Sequence, residues 1–466
     1  DQYPYRIIAS EKSFQSEISD KYRTFLANNF IDLNGDCGGI EDLVISNDNL
    51  IALTYNYPVF IPTKPQSLQT NETLTYIGTG EIFSIPPRKM STTNYPYGGC
   101  RDWMGIVTTE FGTFYPDSEH GKVHILGNPP ENVSKGMTNW LETNLPFNID
   151  IQWYALLGKK YPWRYPTNGI GIVSTYDPRH KRYIITKNDY TIYDEDGFGG
   201  ELSIEDVVPL QDTLYFDPDL GVFFISNDGA VNTIIPLNNY LYFRNHSWTL
   251  SYSPQHQAWV SYHSYMPYNY LNDGNTFYSL KQYLNRIYTH DIGLYQTYYN
   301  DAKKEHVLEF IINKDPQVVK TFGSMELVCS STLDGVDSDI IFNRGWFYNS
   351  YQSTGFKTLK LKTDTFDLDY VTSEIVIDPV QRNWKFNNLR DISTANLPLS
   401  TSDWPDIRAI YFTDKVPDNL ITSPNLFTQN GRFRDRWLAC RLAFKPVTNH
   451  KITTNILNTQ QNISYR

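Results

Sequence analysis

Alanine is scarce in this chain: only 11 of its 466 residues are Ala, against 35 Tyr, 25 Phe and 10 Trp. Alanine is the best helix former, whereas aromatic side chains favour the half-buried surface of a β-sheet. This imbalance argues against a helical bundle and against a doubly wound α/β enzyme. Because 27 Gly and 26 Pro are available to form turns, the composition predicts an all-β chain with many turns.

Cysteine, basic charge and long apolar runs are also sparse. The four cysteines are widely separated and include no CxxC pair, which favours free thiols over a disulfide framework or a structural zinc site. The 51 Asp and Glu residues outnumber the 40 Lys and Arg residues, so a net charge of −11 gives no general attraction for phosphate backbones. No stretch approaches the roughly 18 apolar residues that span a bilayer, and we expect no membrane-spanning segment.

Strand signals dominate the first two-thirds of the chain. Short segments rich in β-branched and aromatic residues are bounded by Asp, Asn, Gly or Pro, as is typical of strands. They are 50–55, 58–62, 103–115, 170–176, 182–186, 213–216, 221–226, 248–252 and 258–262. Predicted helices are few: 138–145 fits one or two turns, and 275–288 fits either a helix or a strand. Another alternating strand is predicted at 437–444 (WLACRLAF).

One hairpin pattern recurs three times along the chain. An aromatic residue is followed by Asp or Ser and then Pro, and a second aromatic residue lies five positions after the Pro. The copies are Tyr176-Asp177-Pro178 with Tyr183, Phe216-Asp217-Pro218 with Phe223, and Tyr252-Ser253-Pro254 with Trp259. Pro fixes φ and Asp or Ser bonds to its own backbone, so each copy predicts two strands joined by a tight turn. A related hairpin lies at 114–123.

The spacing of the copies suggests a repeat architecture. Their prolines, at positions 178, 218 and 254, are 40 and then 36 residues apart, close to the roughly 40–50 residues of a four-stranded propeller blade. We predict a β-propeller-like domain over residues 1–315 and a β-rich domain with long loops over residues 316–466. Unrelated hairpins in a sandwich are the alternative. A partial copy, Asp378-Pro379 with Trp384, lies outside this spacing.

Several stretches resemble one group of phage proteins. They are 169–188 (GIGIVSTYDPRHKRYIITKN), 250–278 (LSYSPQHQAWVSYHSYMPYNYLNDGNTFY), 292–299, 309–315 (EFIINKD) and 434–442 (RDRWLACRL), together with 27–30 and 103–126. These stretches are similar to the tail stabilization or muzzle proteins of crAss-like phages, which infect gut Bacteroidetes. The resemblance covers most of the chain, and SPQHQAWVSYHSY and NKD are its most specific parts.

The resemblance implies a structural virion protein, a muzzle, nozzle or stabilization component of the phage tail assembled in the bacterial host cytoplasm. It implies a β-propeller-like architecture, copies of the chain in a ring about the tail axis, and contacts with ring and fibre proteins. DNA is implied only as passing cargo. Members of the group are usually longer, so we expect a C-terminal portion of a longer chain, which fits the start at Asp1. The group carries no catalytic motif, so no enzyme activity, cofactor or metal residue is expected.

Clusters of acidic residues are candidates for metal or glycosidase chemistry. Asp194, Asp196 and Glu201 resemble a calcium loop but fail the EF-hand spacing, and a solvated turn is the favoured interpretation. Two further clusters fit a polar strand face and a loop. They are Asp364, Asp367 and Asp369, and Asp334, Asp337 and Asp339. A glycosidase pair would require a known separation between two carboxylates.

Three of the nine histidines, His246, His256 and His263, lie close together in the sequence but on different sides of a predicted hairpin. Without an HExxH motif or a Cys partner set, we expect cross-strand packing of His256 and His263 rather than metal binding. The sequence has no GxSxG, P-loop or GxGxxG motif to indicate a nucleophile elbow or a nucleotide site.

The sequence also contains one cluster of basic residues and two Tyr-rich stretches. Arg432, Arg434 and Arg436 alternate, so an extended strand would project them from one face. That face fits solvent, an acidic neighbouring subunit or passing DNA, although Asp435 and the negative net charge weaken the last option. The Tyr-rich stretches 262–270 and 295–299 fit core packing, protein contacts or stacking on sugars.

Two hypotheses for the function follow. The first is a structural tail protein that forms part of a ring-shaped conduit for genome and cargo ejection, with an acidic wall that repels DNA. The second is an adhesin on a propeller or sandwich that binds or cleaves host-surface glycans. Binding requires a pocket with exposed aromatic side chains, and cleavage requires two facing carboxylates as well.

Overall fold

A computed structural model describes most residues from 3 to 465. The residues of this range that it does not describe are 12–19, 47–48, 64–65, 71–72, 78–82, 92–96, 159, 162–163, 193–207, 210–213, 218–219, 226–232, 240–241, 283, 285, 294–296, 300–303, 339–341, 350–351, 353, 355–356, 362–373, 378, 381–382, 387–388, 390–431 and 445–451. The chain divides into two compact units, Asp1–His290 and Asp291–Arg466. The division precedes the predicted boundary at residue 315 because strand His306–Ile312 pairs within the second unit, with Leu438–Phe444.

The first unit begins with a four-stranded antiparallel sheet, sheet A, and two short ribbons. The strands are β1 (Arg6–Ile8), β2 (Phe30–Asp32), β3 (Ile40–Ser46), β4 (Asn49–Thr54), β5 (Val59–Ile61), β6 (Gln66–Thr70), β7 (Thr73–Ile77) and β8 (Arg88–Lys89). Sheet A has the order β3-β4-β5-β8, while β1 pairs with β2 and β6 with β7. The strands predicted at 50–55 and 58–62 are confirmed as β4 and β5.

Sheet B is an antiparallel meander of four short strands. They are β9 (Val107–Thr109), β10 (Gly112–Asp117), β11 (Lys122–Ile125) and β12 (Glu131–Asn132), paired in sequence order. The single strand predicted over 103–115 is wrong. Trp103–Gly105 is a 3-10 turn, and the chain reverses between Thr109 and Gly112, whose φ of 131° suits a glycine.

Two α-helices follow sheet B: α1 (Thr138–Asn144) and α2 (Asn148–Leu157). The first confirms the one or two turns predicted at 138–145. The second was not predicted from the sequence, where NIDIQWYALL mixes helix formers with β-branched and aromatic residues. Helix α2 ends at Gly158, which adopts the left-handed conformation common after a helix.

Sheet C is interrupted by the insertion of another sheet. The strands of this region are β13 (Gly171–Asp177), β14 (Arg182–Asn188), β15 (Tyr190–Ile192), β16 (Val208–Pro209), β17 (Leu214–Asp217), β18 (Val222–Ile225), β19 (Thr233–Ile235), β20 (Phe243–Asn245), β21 (Trp248–Ser253) and β22 (Ala258–His263). Sheet C has the order β13-β14-β21-β22. Sheet D, the meander β16 to β19, is inserted between β14 and β21, and the pair β15–β20 leads to it.

The three predicted hairpin copies all form, with their two aromatic residues opposite each other. They do not belong to three successive sheets. The first and third copies share sheet C, where Tyr183 of β14 lies opposite Tyr252 of β21, and the second copy lies in sheet D. The 36–40-residue spacing therefore reflects the length of an insertion rather than one sheet per copy.

Sheet E is a three-stranded meander at the end of the first unit. Its strands are β23 (Asn269–Asn272), β24 (Phe277–Leu280) and β25 (Ile287–Thr289). The segment 275–288 was expected to form either a helix or a strand, and its described residues form strands. Their aromatic residues alternate between the two faces of a sheet rather than lining one side of a helix.

Sheets A, B, C and E pack in the order in which they occur in the chain. Leu53 of sheet A and Tyr115 of sheet B belong to one buried cluster. Phe114 of sheet B stacks on Tyr183 of sheet C, with ring centroids 5.0 Å apart. Strand β13 of sheet C lies beside β23 of sheet E, and six of its seven residues are buried. This edge strand of sheet C is thus covered on both faces.

The second unit contains two sheets that share a core. Its strands are β26 (His306–Ile312), β27 (Lys320–Leu333), β28 (Val336–Ser338), β29 (Arg344–Tyr348), β30 (Lys357–Leu361), β31 (Glu374–Ile377), β32 (Pro379–Val380), β33 (Asn383–Phe386), β34 (Phe433–Asp435), β35 (Leu438–Phe444) and β36 (Ile452–Tyr465). One sheet has the order β26-β35-β29-β30-β31. The other has the order β28-β27-β33-β32, and β27 also pairs with β34 and β36.

The core of the second unit lies between its two sheets. Phe347 and Cys440 of the first sheet join Leu327 and Phe386 of the second in one buried cluster. The partial hairpin copy is present, with Pro379 opposite Trp384. Long loops were predicted around 330–345 and 390–425. The first prediction is wrong, because this region contains the end of β27 and the strand β28 that pairs with it. The second region lies outside the described residues.

The described parts of both units confirm the prediction of an all-β chain, with α1 and α2 as their two α-helices. Cys37, Cys100 and Cys440 are buried free thiols, as predicted, and the side chain of Cys329 lies outside the described residues. Neither helix is long and apolar enough to cross a membrane.

Candidate functional site

Four hairpins of the first unit share one turn geometry. The last residue of the first strand is Asp or Ser, and its side chain accepts a hydrogen bond from the backbone N–H three residues later. These residues are Asp117, Asp177, Asp217 and Ser253, with N···O distances of 3.0–3.4 Å. The next residue adopts a positive φ of 49–65°, at Gly121, Lys181, Gly221 and Gln257. The predicted backbone bond of Asp or Ser is confirmed in each of these turns.

Three of these turns also hold a histidine side chain against the capping residue. His120 contacts Asp117 at 2.9 Å, and His180 contacts Asp177 at 2.8 Å, each through Nδ1. His256 meets the hydroxyl of its capping Ser at 2.9 Å. The hydrogen bond to Asp117 raises the pKa of His120. Each turn is therefore closed by a backbone and a side-chain contact at the same residue.

Asp177 has the densest set of partners among the capping residues. Its carboxylate accepts bonds from the backbone of Arg179 and His180 and from Nε of Arg182, at 2.8 Å in the last case. Burial raises its pKa, but the charge of Arg182 and the bonds from His180 outweigh burial and hold the pKa below its ordinary value. This carboxylate is a charged structural group inside a tight turn.

The aromatic residues of these hairpins form a continuous chain of ring contacts between sheets B and C. Phe114 lies between Tyr183 and Tyr252, with centroid distances of 5.0 and 6.0 Å. Tyr252 in turn packs against Trp259 at 5.3 Å. Such pairs add about 0.5–1.5 kcal/mol beyond burial of their area. The chain of rings leads from the buried interior to an open cleft.

This aromatic cleft is the candidate binding site. It has a volume of about 640 Å³ and lies between the β9–β10 turn, the segment after β12 and the β21–β22 turn. Its aromatic lining consists of Phe111, Phe114, Tyr252 and Trp259. Pockets of about 300–1,000 Å³ with aromatic walls and a few polar groups are typical ligand sites.

The rings and polar groups of the cleft have defined positions. The indole Nε1–H of Trp259 donates to the carbonyl of Val133 at 3.0 Å, which fixes the plane of the ring. Burial raises the pKa of Tyr252, and the nearby charge of Glu131 adds to the effect. Glu131 and Lys135 are exposed members of the lining. The cleft thus combines fixed rings with charges of both signs.

A half-buried arginine, Arg164, joins the segments that flank sheet B. Arg164 donates to both oxygens of Asp102 at 3.0–3.1 Å, to the hydroxyl of Ser118 at 2.9 Å and to Asp150 at 3.1 Å. Burial lowers the pKa of Arg164, but the charges of Asp102 and Asp150 outweigh it and hold the pKa above its ordinary value. Burial raises the pKa of Asp150. The arrangement is a salt-bridge network that ties a helix to two loops.

A second buried ion pair lies between the two helices. Lys187 and Asp189 are fully buried, with Nζ and Oδ2 2.7 Å apart. Lys187 donates to the carbonyls of Asn144 and Pro146 at the end of α1. Asp189 accepts the backbone N–H of Asn148 at the start of α2. The cation therefore satisfies carbonyls after a helix C-terminus, and the anion satisfies amides at a helix N-terminus.

His246, His256 and His263, which are close in the sequence, make separate contacts in the structure. His246 bonds through Nε2 to the hydroxyl of Thr191 at 2.9 Å, and His256 lies in the β21–β22 turn. His263, at the other end of β22, lies opposite Thr249 and packs on Tyr265 at 5.1 Å. His263 therefore has a cross-strand neighbour in Thr249, as expected, whereas the expected cross-strand packing is wrong for His256, whose ring contacts the capping Ser253 within the turn.

The acidic clusters give little support for a site. Asp194, Asp196, Glu201, Asp339 and the cluster Asp364, Asp367 and Asp369 lie outside the described residues. Asp334 and Asp337 are exposed where β27 turns into β28, and Asp334 has a positive φ of 50°. The loop prediction therefore fits Asp334, whereas it is wrong for Asp337, which lies in β28 opposite Thr332 of β27.

Arg432, Arg434 and Arg436 are exposed, and Phe433 between the first two is buried. Arg434 lies in β34 opposite Thr321 of β27. The alternation predicted for this segment is therefore present at 432–434. The basic side chains face solvent in the chain by itself.

The Tyr-rich stretches contribute mainly to packing. Tyr265 and Tyr270 are buried, and the hydroxyl of Tyr270 meets that of Thr186 in sheet C at 2.7 Å. Tyr299 is buried as well, while residues 295 and 296 lie outside the described part. Of the interpretations left open for these stretches, core packing fits these three residues.

The aromatic cleft was not predicted from the sequence. Its lining comes from sheet B, the segment before α1 and the β21–β22 turn, and Val133 and Trp259 are 126 positions apart. The local signal was the histidine three residues after Asp117, Asp177 and Ser253, which marks three of the four turns but not the cleft itself.

No protein-family model matches the chain, and no curated protein matches it either.

Proposed function

We propose that the chain is a structural component of a phage tail, one of several copies in a ring around the tail axis within the virion. In this proposal sheets A, B, C and E are blades of a propeller-like module, and the second unit is a separate β-rich module. Ring and fibre proteins of the tail are the proposed partners, and DNA passes without stable binding.

One observation carries this proposal. The two longest stretches that resemble tail muzzle proteins, 169–188 and 250–278, meet in the structure, because β14 and β21 pair in sheet C. The second stretch continues into β23 and β24 of sheet E. These two stretches therefore lie side by side in one sheet of the first unit, although they are separated in the sequence.

The packing of the sheets supports a structural role. Small sheets that pack face to face in chain order are the arrangement of propeller blades, which expose only short, protected edges. The capped turns stiffen the hairpins, and the ion pairs of Arg164 and Lys187 tie the helices to neighbouring segments. A rigid module of this kind suits a protein held at high local concentration in a multimeric assembly.

The geometry does not favour the second hypothesis in its hydrolytic form, an adhesin that cleaves host-surface glycans. Cleavage of a glycan requires two carboxylates on opposite sides of the bond. Among the described residues that line the aromatic cleft, Glu131 is the one carboxylate. Asp102 and Asp150 both bind Arg164, which holds them as structural counter-ions.

Cryo-electron microscopy of purified virions of the encoding phage tests the proposal. We expect density around the tail axis into which sheets A, B, C and E fit as adjacent blades. Mass spectrometry of the same particles should detect peptides from both units in amounts comparable with other tail proteins. Particles that lack these peptides, or that carry the chain only in the capsid, would contradict the proposal.

A further inference from the structure

The aromatic cleft has features that a purely structural role does not require. We propose that it is a binding site for a neutral oligosaccharide. The inference concerns this cleft alone and does not rest on the proposed place of the chain in a tail.

The shape of the cleft suits a short chain of sugar rings. Its volume of about 640 Å³ lies in the range of small-molecule sites, and exposed residues such as Phe111, Lys135 and His256 are part of its lining. Three separate segments form its walls, and each is held by hydrogen bonds. One wall ends in the turn capped by Ser253, and another is tied by the bond from Trp259 to Val133. The cleft is therefore preformed, which lowers the entropic cost of binding.

Aromatic side chains provide the apolar surface. Phe111 is 38% exposed at the mouth of the cleft, and Trp259 is partly buried with its ring plane fixed. Sugar rings present apolar C–H faces and polar edges, so they stack on fixed aromatic rings while their hydroxyls stay free to hydrogen-bond. Fixed rings lose little side-chain entropy when a ligand stacks on them.

The polar groups of the cleft match hydroxyls better than ionic ligands. Glu131 can accept hydrogen bonds and Lys135 can donate them, and their charges offset each other. The ring of His256 keeps Nε2 as a second hydrogen-bonding atom, because Nδ1 is occupied by Ser253. A phosphorylated ligand would need a concentration of positive charge, and in this acidic chain the cleft offers Lys135 beside Glu131. A neutral glycan fits this balance.

A glycan array and calorimetry on the full chain test the proposal. The fluorescently labelled protein is applied to an array of neutral oligosaccharides, and the strongest binder is titrated by isothermal calorimetry. We expect saturable binding to at least one glycan. Trp259→Ala and Phe111→Ala should each weaken it by at least about tenfold, equivalent to about 1.4 kcal/mol.

Trp103→Ala is the matched control, because Trp103 is 53% exposed on the same unit and does not line the cleft. It should bind with the wild-type affinity. Circular dichroism checks that each variant is folded. Phe111→Ala keeps the test decisive if Trp259→Ala fails to fold, since Phe111 is exposed.

Two results would overturn the inference: no binding to any glycan of the array, or wild-type affinity in the folded cleft variants. Release of reducing ends from the bound glycan would indicate hydrolysis and contradict a binding-only cleft. If the chain is found in the tail but binds no glycan, only this inference is contradicted. If the chain binds a glycan but is absent from virions, only the proposed function is contradicted.

Discussion

At the scale of single residues, the capping carboxylates of the hairpin turns combine two roles that are often separate. Asp177 closes its turn through backbone amides, as Asp or Ser does in any such turn. It also holds Arg182 and His180, although its side chain is almost fully buried. A neutral side chain of the same shape can keep some of the bonds but not the charge.

Replacement of this carboxylate should weaken the first unit. Asp177→Asn removes the charge that Arg182 and His180 face, and we expect a loss of about 1–3 kcal/mol in the free energy of unfolding. Urea denaturation followed by fluorescence measures it. Asp20→Asn is the control, because Asp20 is 64% exposed and its contact with Arg23 is 4.0 Å long. Equal stability of the two variants would contradict the role given to Asp177.

Buried histidines should make the first unit sensitive to acid. Burial lowers the pKa of His124 to about 4 and that of His263 to about 3, from an ordinary value of 6.5. Between pH 6.5 and 4 the unfolded chain takes up protons that the folded chain does not, so the free energy of unfolding falls as the pH falls. His124 alone accounts for up to about 3 kcal/mol at pH 4.

Denaturation at a series of pH values checks this expectation. His124→Leu should flatten the dependence of stability on pH between 6.5 and 4, whatever its effect on stability at neutral pH. His120→Leu is the control, because Asp117 raises the pKa of His120, and its contribution is fully present below pH 6.5. If His124→Leu and the wild-type chain had the same slope, the buried ring would not be neutral in the folded state.

At the scale of elements, the two helices depend on groups from a distant strand. Helix α1 has seven residues and α2 has ten, both too short to be stable alone. Lys187 and Asp189 are two positions apart at the end of β14. Lys187 supplies a cation to the carbonyls at the end of α1, and Asp189 supplies an anion to the amides at the start of α2. This explains why a segment with weak local helix signals is helical in the folded unit.

Removal of the cation should therefore be costly. Lys187→Met leaves Asp189 as a buried, unpaired charge, and we expect a loss of about 3–5 kcal/mol. Thermal and urea unfolding measure it. Lys160→Met is the matched control, because Lys160 is 61% exposed where it pairs with Glu119, and its loss should cost less than about 1 kcal/mol. Similar costs for the two variants would show that the ion pair between the helices is not needed.

At the scale of the whole molecule, charge decides how the chain meets nucleic acid. The net charge of −11 opposes a phosphate backbone, and the exposed arginines at 432–436 form the one basic run singled out in the sequence. We expect no retardation of a double-stranded DNA fragment in an electrophoretic mobility assay at physiological salt. Retardation that disappears on replacement of Arg432, Arg434 and Arg436 by Gln would instead assign DNA binding to β34.

The fold was predictable where the signal was local. The hairpin at Asp177 and the strand at 438–444 follow from turn residues and from alternation over a few positions. The strand predicted at 103–115 was wrong because a two-residue turn at Glu110 and Phe111 interrupts an apolar pattern that alternates on both sides of it. The Tyr-rich stretches could not be assigned, since core and contact surfaces use the same residues.

The sequence by itself determined that the chain is all-β. It also determined that the strands ending at Asp177, Asp217 and Ser253 continue into hairpins. Those preferences act within about five residues, so no distant partner is needed. Tertiary structure alone decided that the first and third hairpin copies share sheet C, that α2 is a helix, and that Trp259 and Val133 meet at a cleft. These outcomes depend on pairing and burial between residues far apart in the chain, where side-chain packing outweighs local preference.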